Sequence, residues 1–374
     1  MTESAVQHSD AKTGFRPLRV AGKHAENRLI TSFRLEPLDG GTLPEFRPGQ
    51  FLVFRLPAGT GGEPIFRNYS LSGSPRDTSS YRITVKREAS PGSGIPAGLG
   101  SNWLHDEVQT GDVLEVDGPR GDFVLDGVSK RPVVLLSGGV GLTPMMAMLH
   151  DLASGSDRRV FFLHACENGD HHALRQEQDA LVAMRSGLTA KYFYRAPTNA
   201  DRAEGRFHCE GFITRDALQS LLCIDDYEFY LCGPPPFMQA MYKTLRSLGV
   251  DAARIAYEFF GPATVLDADE KPKTRQPTEA PIADVTVAAG AVLVEFRRSG
   301  ITAKWNPAAG SLLSFAEDQG LAPEFSCRAG VCGTCRSSLL SGEVNYFEEP
   351  LDELKPGELL LCCARPKTSL VLDL

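Results

Sequence analysis

Residues 326–335 of this chain read SCRAGVCGTC, and residues 361–366 read LCCARP. The four thiols that we single out are Cys327, Cys332, Cys335 and Cys362. A C-x4-C-x2-C run with a later fourth cysteine is the ligand spacing of a [2Fe–2S] cluster, in which two irons need four thiolates. Glycines between the ligands let backbone N–H groups approach the sulfurs and tune the reduction potential. The spacing therefore predicts a cluster that moves single electrons, so another centre must supply them.

The fourth ligand and the metal each have an alternative. Cys362 and Cys363 are adjacent, so either thiol could complete the set. Cys332-Gly-Thr-Cys335 alone would suit zinc, although a zinc site usually pairs one CxxC with a second. Disulfides are disfavoured, because the first residues lack the apolar core of an export signal and no apolar run is long enough to span a membrane. We therefore expect a cytoplasmic protein with no membrane contact.

The composition is that of a globular protein of several domains. Of its 374 residues 42% are hydrophobic and 23% are charged, and the mean hydropathy is −0.17. The net charge of −8 argues against nucleic acid as a partner. Asp267–Pro281 is dense in charge and proline, which is typical of a linker. We predict two domains over residues 13–127 and 128–262, a linker over 263–283 and a cysteine-bearing domain over 284–374.

Two styles of pattern precede that linker. Short β-type runs such as QFLVFRLP and YRITVKRE are divided by Gly, Pro and Asp turns, which predicts an antiparallel β-barrel. From about Arg131 onward, apolar strands such as RPVVLLSGG alternate with helical stretches such as TPMMAMLHDLA. This alternation predicts an α/β domain with a parallel sheet, which binds dinucleotides at the carboxyl ends of its strands.

Two segments of the α/β domain have the chemistry of a nucleotide site. SGGVGLTP, residues 137–144, follows an apolar strand and leads into a helix. Its glycines let the backbone approach a pyrophosphate, while Thr143 and Pro144 suit a helix start. LCGPPP, residues 231–236, follows the strand YEFY, and its prolines force a turn that leaves Cys232 at the strand end.

Together with Arg67-Asn68-Tyr69-Ser70, these segments resemble the ferredoxin-NADP reductase superfamily. The sequence is most similar to the reductase half of flavohaemoglobins, in the segments PGQF (48–51), TVKRE (84–88), GSNWLHD (100–106) and YEFFGP (257–262). The end of the chain resembles plant-type ferredoxins, in which the last ligand is followed by three residues and a proline. That register selects Cys362, with Pro366 as the proline, and implies an α+β (β-grasp) domain.

The resemblance implies a role for each matching residue. The flavin would be held by Phe51, Arg67, Asn68, Tyr69, Ser70, Val85, Lys86, Gly100, Ser101 and Phe260. The nicotinamide nucleotide would be held by Gly139, Val140, Gly141, Thr143, Pro144, Cys232 and Gly233. The residues expected to line the site of hydride exchange are Ser70, Cys232 and Phe260.

The resemblance also guides the choice of cofactors. The wording around the helix SNWLHDEV favours FAD, with FMN as the alternative, because the amides of its first turn could hold a pyrophosphate. NADH is expected and NADPH is the alternative, with Arg195 and Arg202 as the cations that could meet a 2′-phosphate.

The hypothesis that follows is an NADH-dependent reductase in which electrons pass from NADH to FAD, then to the [2Fe–2S] cluster and to a partner protein. The domain order suggests a partner oxygenase, such as a Rieske-type monooxygenase, demethylase or hydroxylase. One alternative is a self-sufficient NADH oxidase or quinone reductase that needs no protein partner. The other is a module in which zinc stabilises the C-terminal domain and the chain serves only for binding.

Overall fold

The computed structural model describes residues 15–57, 65–89, 98–260, 292–323, 325, 330, 333, 335–347, 350 and 354–374. These residues belong to two compact units. The first unit runs to Pro234 and includes Thr244–Glu258, and the second comprises Pro235–Lys243 and the chain from Phe259 onward. The predicted linker over 263–283 lies outside the described residues, and the four predicted domain boundaries stay predictions.

The first domain of the first unit is a six-stranded antiparallel sheet. Its strands are β1 (Arg16–Ala25), β2 (Ile30–Pro37), β3 (Phe51–Leu56), β4 (Ile65–Ser70), β5 (Tyr81–Lys86) and β6 (Val113–Arg120). Their order is β4-β3-β6-β1-β2-β5, and a bridge between Leu71 and Ile83 joins the two edges. Phe33 and Phe54 lie in the core, which the edge bridge helps to enclose. Helix α1 (Leu99–Asp106) lies between β5 and β6 in the sequence.

The second domain is built on a six-stranded sheet, five strands of which pair in parallel. Its strands are β7 (Val133–Gly138), β8 (Val160–Cys166), β9 (Leu188–Tyr194), β10 (Cys209–Glu210), β11 (Glu228–Gly233) and β12 (Ile255–Phe259). Its helices are α2 (Leu142–Gly155), α3 (Arg175–Ala183), α4 (Asn199–Glu204) and α5 (Arg215–Leu221), and the helix α6 (Pro235–Ser247) that follows β11 begins in the second unit. Every residue of β7 is buried, as expected of a central parallel strand covered on both faces.

The strand order decides where this second domain can bind a ligand. The order is β10-β9-β8-β7-β11-β12, so the chain moves outward from β7 on one side and then returns to place β11 on the other. A crevice opens outside the carboxyl ends of the strands at such a reversal. The segments that follow β7 and β11 therefore meet at the predicted ligand position.

The C-terminal domain combines small sheets with one helix. Its elements are β13 (Leu293–Phe296), β14 (Ile301–Lys304), α7 (Leu312–Asp318), β15 (Arg336–Ser341), β16 (Val344–Tyr346), β17 (Glu358–Leu360), β18 (Ala364–Pro366) and β19 (Leu370–Leu372). Five strands have the order β14-β13-β19-β15-β17, and β16 pairs with β18. Phe315 of α7 packs against Phe296 and Trp305, with ring centroids 6.1 and 5.0 Å away. The predicted α+β class is confirmed, as are the two sheet classes before it.

Candidate functional site

The pairing of β3 with β4 positions the residues of the RNYS segment. Tyr69 lies opposite Leu52, and Ser70 lies opposite Phe51. The Tyr69 ring meets Phe54 edge to face, with centroids 5.4 Å apart. Burial raises the pKa of the Tyr69 phenol, although the nearby Arg67 guanidinium opposes that rise. The phenol therefore stays neutral, and its aromatic ring is held firmly at the end of the strand.

The start of helix α1 lies directly against β4. A Cβ atom on Gly100 would fall 2.8 Å from Cγ of Arg67 and 3.3 Å from the hydroxyl of Tyr69. Only glycine lets the first turn of the helix come this close to the strand. The fold thus brings three of the predicted flavin residues together beside the amides of a helix N-terminus.

Hydrogen bonds fasten the same helix to the chain that follows β5. The backbone N–H of Glu88 donates to Oγ of Ser101 at 3.1 Å, and Nδ2 of Asn102 donates to the Glu88 carbonyl at 3.0 Å. Lys86 pairs with the Glu88 carboxylate at 3.2 Å. Val85 is buried, and its carbonyl lies 2.9 Å from Nε2 of His105. The end of β5 and the start of α1 therefore form one hydrogen-bonded unit.

A half-buried carboxyl group links this region to the parallel sheet. Oγ of Ser70 donates to Oε2 of Glu258 on β12 at 3.4 Å. Burial raises the pKa of Glu258 to about 8, against the opposing effect of that hydrogen bond. Burial also raises the pKa of Cys232 well above its usual value, and Glu258 adds to the rise. At neutral pH the site accordingly holds a protonated carboxyl and a neutral thiol beside Ser70.

Glu258 was not identified from the sequence, although YEFFGP was recognised as a segment. A single carboxylate in a strand usually faces solvent, and no local pattern shows that this one is buried. A glutamate inside an otherwise apolar and aromatic strand, next to a segment already assigned to the flavin, was the available signal.

The two nucleotide segments meet at the carboxyl ends of β7 and β11. Ser137 and Cys232 are register partners. A Cβ atom on Gly141 would lie 2.6 Å from the nitrogen of Gly233, and closer still to the carbonyl of Cys232. Gly139 has φ of +53°, a conformation that glycine adopts without strain. The close approach leaves the 3-10 turn Gly139–Gly141 at the crevice of the strand reversal.

Helix α2 begins at the end of that turn. Oγ1 of Thr143 donates to the Val140 carbonyl at 3.1 Å, and Pro144 lies buried in the first helical turn. Among the described residues no side chain caps the helix, so its first N–H groups face the crevice without a side-chain acceptor. Such groups favour an anion, which suits the pyrophosphate of a dinucleotide.

In the C-terminal domain the structure describes two of the four predicted ligands. Cys335 and Cys362 are both buried, and the N–H of Leu361 donates to the Cys335 carbonyl at 3.2 Å. The backbone N–H of Gly330 donates to Sγ of Cys362 at 3.2 Å, which is the kind of contact that stabilises a thiolate. Cys327 and Cys332 lie outside the described residues.

The adjacent thiol has a different environment. Cys363 is fully buried, and its Sγ lies 3.7 Å from the carbonyl of Leu360, three residues earlier. The two neighbouring cysteines therefore point to different partners, and the backbone N–H contact is on Cys362.

Phe260 is exposed, whereas His164 and His172 are buried. Phe260 is 39% exposed and belongs to the second unit, so its place at the flavin stays a prediction. From the sequence alone, the adjacent His171 and His172, together with His164, are expected on a solvated helix face rather than in a metal site, and for His164 and His172 that expectation is wrong. Both are buried, with ring centroids 4.6 Å apart, because His164 lies within the internal strand β8 and His172 hydrogen-bonds Tyr194 and Gln178.

Both arginines considered for a 2′-phosphate are paired with carboxylates. Arg195 makes two hydrogen bonds to Glu167, at 2.6 and 2.7 Å. Arg202 makes two to Glu210, at 2.6 and 2.8 Å. Each of these arginines thus already has a carboxylate partner, in a pair that is about half exposed.

Within the described ranges, no helix combines the length and apolar character that crossing a bilayer requires.

Comparison with known families agrees with this division of the chain. The oxidoreductase FAD-binding domain family matches residues 18–125, and the oxidoreductase NAD-binding domain family matches residues 135–243. The 2Fe-2S iron-sulfur cluster binding domain family matches residues 294–367. The predicted cofactors FAD, NAD and [2Fe–2S] are confirmed by these matches.

Similar proteins fall into two kinds. A flavohemoprotein of Bordetella pertussis is 42% identical over 259 residues, and the match covers 69% of this chain and 63% of that protein. The flavohem-like FAD/NAD-binding domain of a nitric oxide dioxygenase from Vibrio cholerae is 37% identical, with a TM-score of 0.58, over 67% of this chain and 99% of that domain. Phthalate dioxygenase reductase is 27% identical, with a TM-score of 0.55, and the match covers 96% of this chain and 98% of that one.

Proposed function

We propose that this chain, which belongs to the ferredoxin-NADP reductase superfamily and carries a C-terminal [2Fe–2S] domain, is the NADH-dependent reductase of an oxygenase system. The observation that carries the proposal is the contact between the two domains of the first unit. Ser70 at the end of a flavin-domain strand reaches Glu258, which lies beside Cys232 at the nucleotide crevice. Residues assigned to two different cofactors thus meet at the half-buried Glu258.

The residues present fit the cofactors that the domain families bind. Arg67, Tyr69 and the glycine-bearing start of α1 form a cradle that a Cβ atom at Gly100 would fill, which suits a flavin nucleotide. The turn Gly139–Gly141 and the uncapped start of α2 suit a pyrophosphate. When bound, the flavin would accept a hydride from NADH and release electrons singly to the cluster, which carries one at a time.

The contributions of the chain itself are positioning and proton control. Glu258 holds a proton at neutral pH, and its Oε2 is one hydrogen bond from Oγ of Ser70. This arrangement keeps a negative charge away from the exchange site until the pH exceeds about 8. Cys232 stays a neutral thiol that would pack against a bound nucleotide rather than act as a nucleophile.

The paired arginines support NADH over NADPH. A 2′-phosphate needs an available cation. Arg195 already donates two hydrogen bonds to the Glu167 carboxylate. A carboxylate after a central strand instead suits the 2′-hydroxyl of NADH. Steady-state kcat/KM with each coenzyme measures this preference directly.

An oxygenase partner is supported by the full-length similarity to phthalate dioxygenase reductase, which has the same order of parts. We propose a Rieske-type monooxygenase, demethylase or hydroxylase as the acceptor. The acceptor takes single electrons from the cluster, so it need not contact the nucleotide crevice.

Anaerobic titration with NADH tests the relay. We expect both the flavin band and the cluster absorbance to bleach, and Cys335→Ser to abolish the second change while sparing the first. Bleaching of the flavin alone in the native protein would refute the relay. Turnover with oxygen or a quinone as fast as with any protein acceptor would favour the self-sufficient oxidase, and one zinc in place of two irons would favour the binding module.

We propose Cys362 as the fourth ligand, since it receives the N–H of Gly330. Cys362→Ser and Cys363→Ser form a matched pair of variants, as both thiols are buried and adjacent. Iron and acid-labile sulfide should fall in the first variant and persist in the second. The reverse result would assign Cys363.

A further inference from the structure

An ion pair joins the two domains of the first unit close to Ser70. Arg82 lies on β5 of the flavin domain and Glu177 lies on α3 of the nucleotide domain. Nη1 and Nη2 of Arg82 donate to the two carboxylate oxygens at 2.6 and 2.8 Å. The side chains are only 22% and 26% exposed, so the pair is shielded far more than an ordinary surface pair.

The nucleotide-domain end of this pair is fixed by helix α2. Nε2 of His150 lies 2.5 Å from Oε1 of Glu177. Burial would raise the pKa of Glu177, but hydrogen bonds from His150 and Arg82 lower it to about 2. Glu177 is therefore a carboxylate throughout the physiological range, held between one helix and the facing domain.

The flavin-domain end leads to the strand that bears Ser70. Nη2 of Arg82 also donates to the Ser72 carbonyl at 2.5 Å, and its Nε donates to Oγ of Ser72 at 3.2 Å. Ser72 is fully buried, and its hydroxyl lies 2.9 Å from Oγ1 of Thr84. Ser72 is two residues after Ser70, so one guanidinium holds both the nucleotide domain and the end of β4.

We propose that Arg82 and Glu177 are positioning residues that set the distance between the nucleotide crevice and the flavin edge. The inference rests on the proposed function, because it concerns the same hydride transfer. Helix α2 starts at the turn Gly139–Gly141 and carries His150, so a displacement of Glu177 moves the helix that begins at the crevice. Neither residue of the pair touches the proposed exchange site.

The test uses the holoenzyme and the variants Arg82→Gln, Glu177→Gln and the double variant. Flavin reduction is followed by anaerobic stopped flow at saturating NADH, with NADH and with its 4-deuterated form. We expect each single variant to reduce the flavin about 10- to 100-fold more slowly, with an undiminished isotope effect, because a misplacement of about 1 Å has that cost. Flavin content and the rate of electron transfer from dithionite-reduced enzyme to a one-electron acceptor should change less than about twofold, since the pair acts only before that step.

Two comparisons separate positioning from general destabilisation. The double variant leaves no unpaired half-buried charge, so it should fold at least as well as the single variants and be no slower than either, because the two residues act as one unit. Arg55→Gln removes an ion pair with Glu115 inside the flavin domain. Flavin reduction by NADH in this control variant should proceed at the native rate. Native reduction rates in all the pair variants, or losses that add in the double variant, would overturn the proposal. Failure of the native enzyme to reduce its flavin with NADH would instead refute the proposed function.

Discussion

At the scale of single residues, the environment of a side chain rather than its residue type decides the chemistry of the site. Glu258 and Glu177 are both glutamates, yet the pKa of the first is raised to about 8 and that of the second is lowered to about 2. The difference arises because Glu177 receives a guanidinium and an imidazole, whereas the half-buried Glu258 receives one hydroxyl from the residues that the structure describes. The sequence shows neither environment, since each partner lies 27 or more residues away.

The Glu258→Gln variant should change how flavin reduction depends on pH. In the native enzyme the Glu258 carboxyl loses its proton as the pH rises through about 8. The negative charge that then appears on Glu258 would oppose the transfer of a hydride to a bound flavin. We expect the native rate to fall about 10-fold between pH 7 and pH 9.5, which corresponds to roughly 1.4 kcal/mol. The variant, which cannot ionise, should show a flat profile. A native profile that is equally flat would contradict the assigned pKa.

At the scale of elements, the site depends on the close meeting of two short segments. The turn Gly139–Gly141 and the end of β11 are about 90 residues apart in sequence and touch through backbone atoms at Gly141. The glycine pattern predicts a nucleotide-binding turn, and the parallel sheet predicts that the nucleotide lies at the carboxyl ends of its strands. Their mutual contact required the strand order, in which β11 returns to lie beside β7.

Gly141→Ala should weaken nucleotide binding. The added methyl group would overlap the backbone of Cys232 and Gly233, which cannot move as a flexible side chain can. We expect the dissociation constant for NAD⁺ to rise about 10-fold or more, and the free energy of unfolding to fall by about 1–3 kcal/mol. Gly127→Ala is the matched control, since its Cβ would meet nothing within 4 Å. Equal effects of the two changes on binding would rule out the close contact.

At the scale of the whole molecule, the first unit carries a buried group of histidines that its electron transfer does not use. Burial lowers the pKa of His164 well below its usual value and that of His172 to about 4. Both are accordingly neutral in the folded state, with Nδ1 of His164 2.8 Å from Oγ of Ser137. The unfolded chain would bind protons at these positions near pH 6.5, so folding and protonation oppose each other.

The first unit should therefore lose stability as the pH falls below about 6.5. Because the folded pKa of His172 lies below the unfolded value, the loss develops between pH 6.5 and about 4 and amounts to about 3 kcal/mol for this residue. Urea unfolding at pH 7 and pH 4 measures it, with Trp305→Phe leaving Trp103 as the reporter for the first unit. His172→Gln should flatten the pH dependence between those two values. An unchanged slope would place the acid sensitivity elsewhere.

The sequence by itself determined the sheet classes of the first two domains, the nucleotide turn and the [2Fe–2S] ligand spacing, because these follow from local signals, while the family resemblance supplied FAD, NADH and the class of the third domain. Strand and helix periods, the glycine turn before α2 and the C-x4-C-x2-C spacing are each contained within a few dozen residues. Only the tertiary structure decided which residues meet across the chain. It placed the half-buried Glu258 beside Ser70, 188 residues earlier, and joined Arg82 to Glu177 across 95 residues. It also placed His164 and His172 in the interior, since burial and pairing are properties of the packed fold rather than of any local stretch.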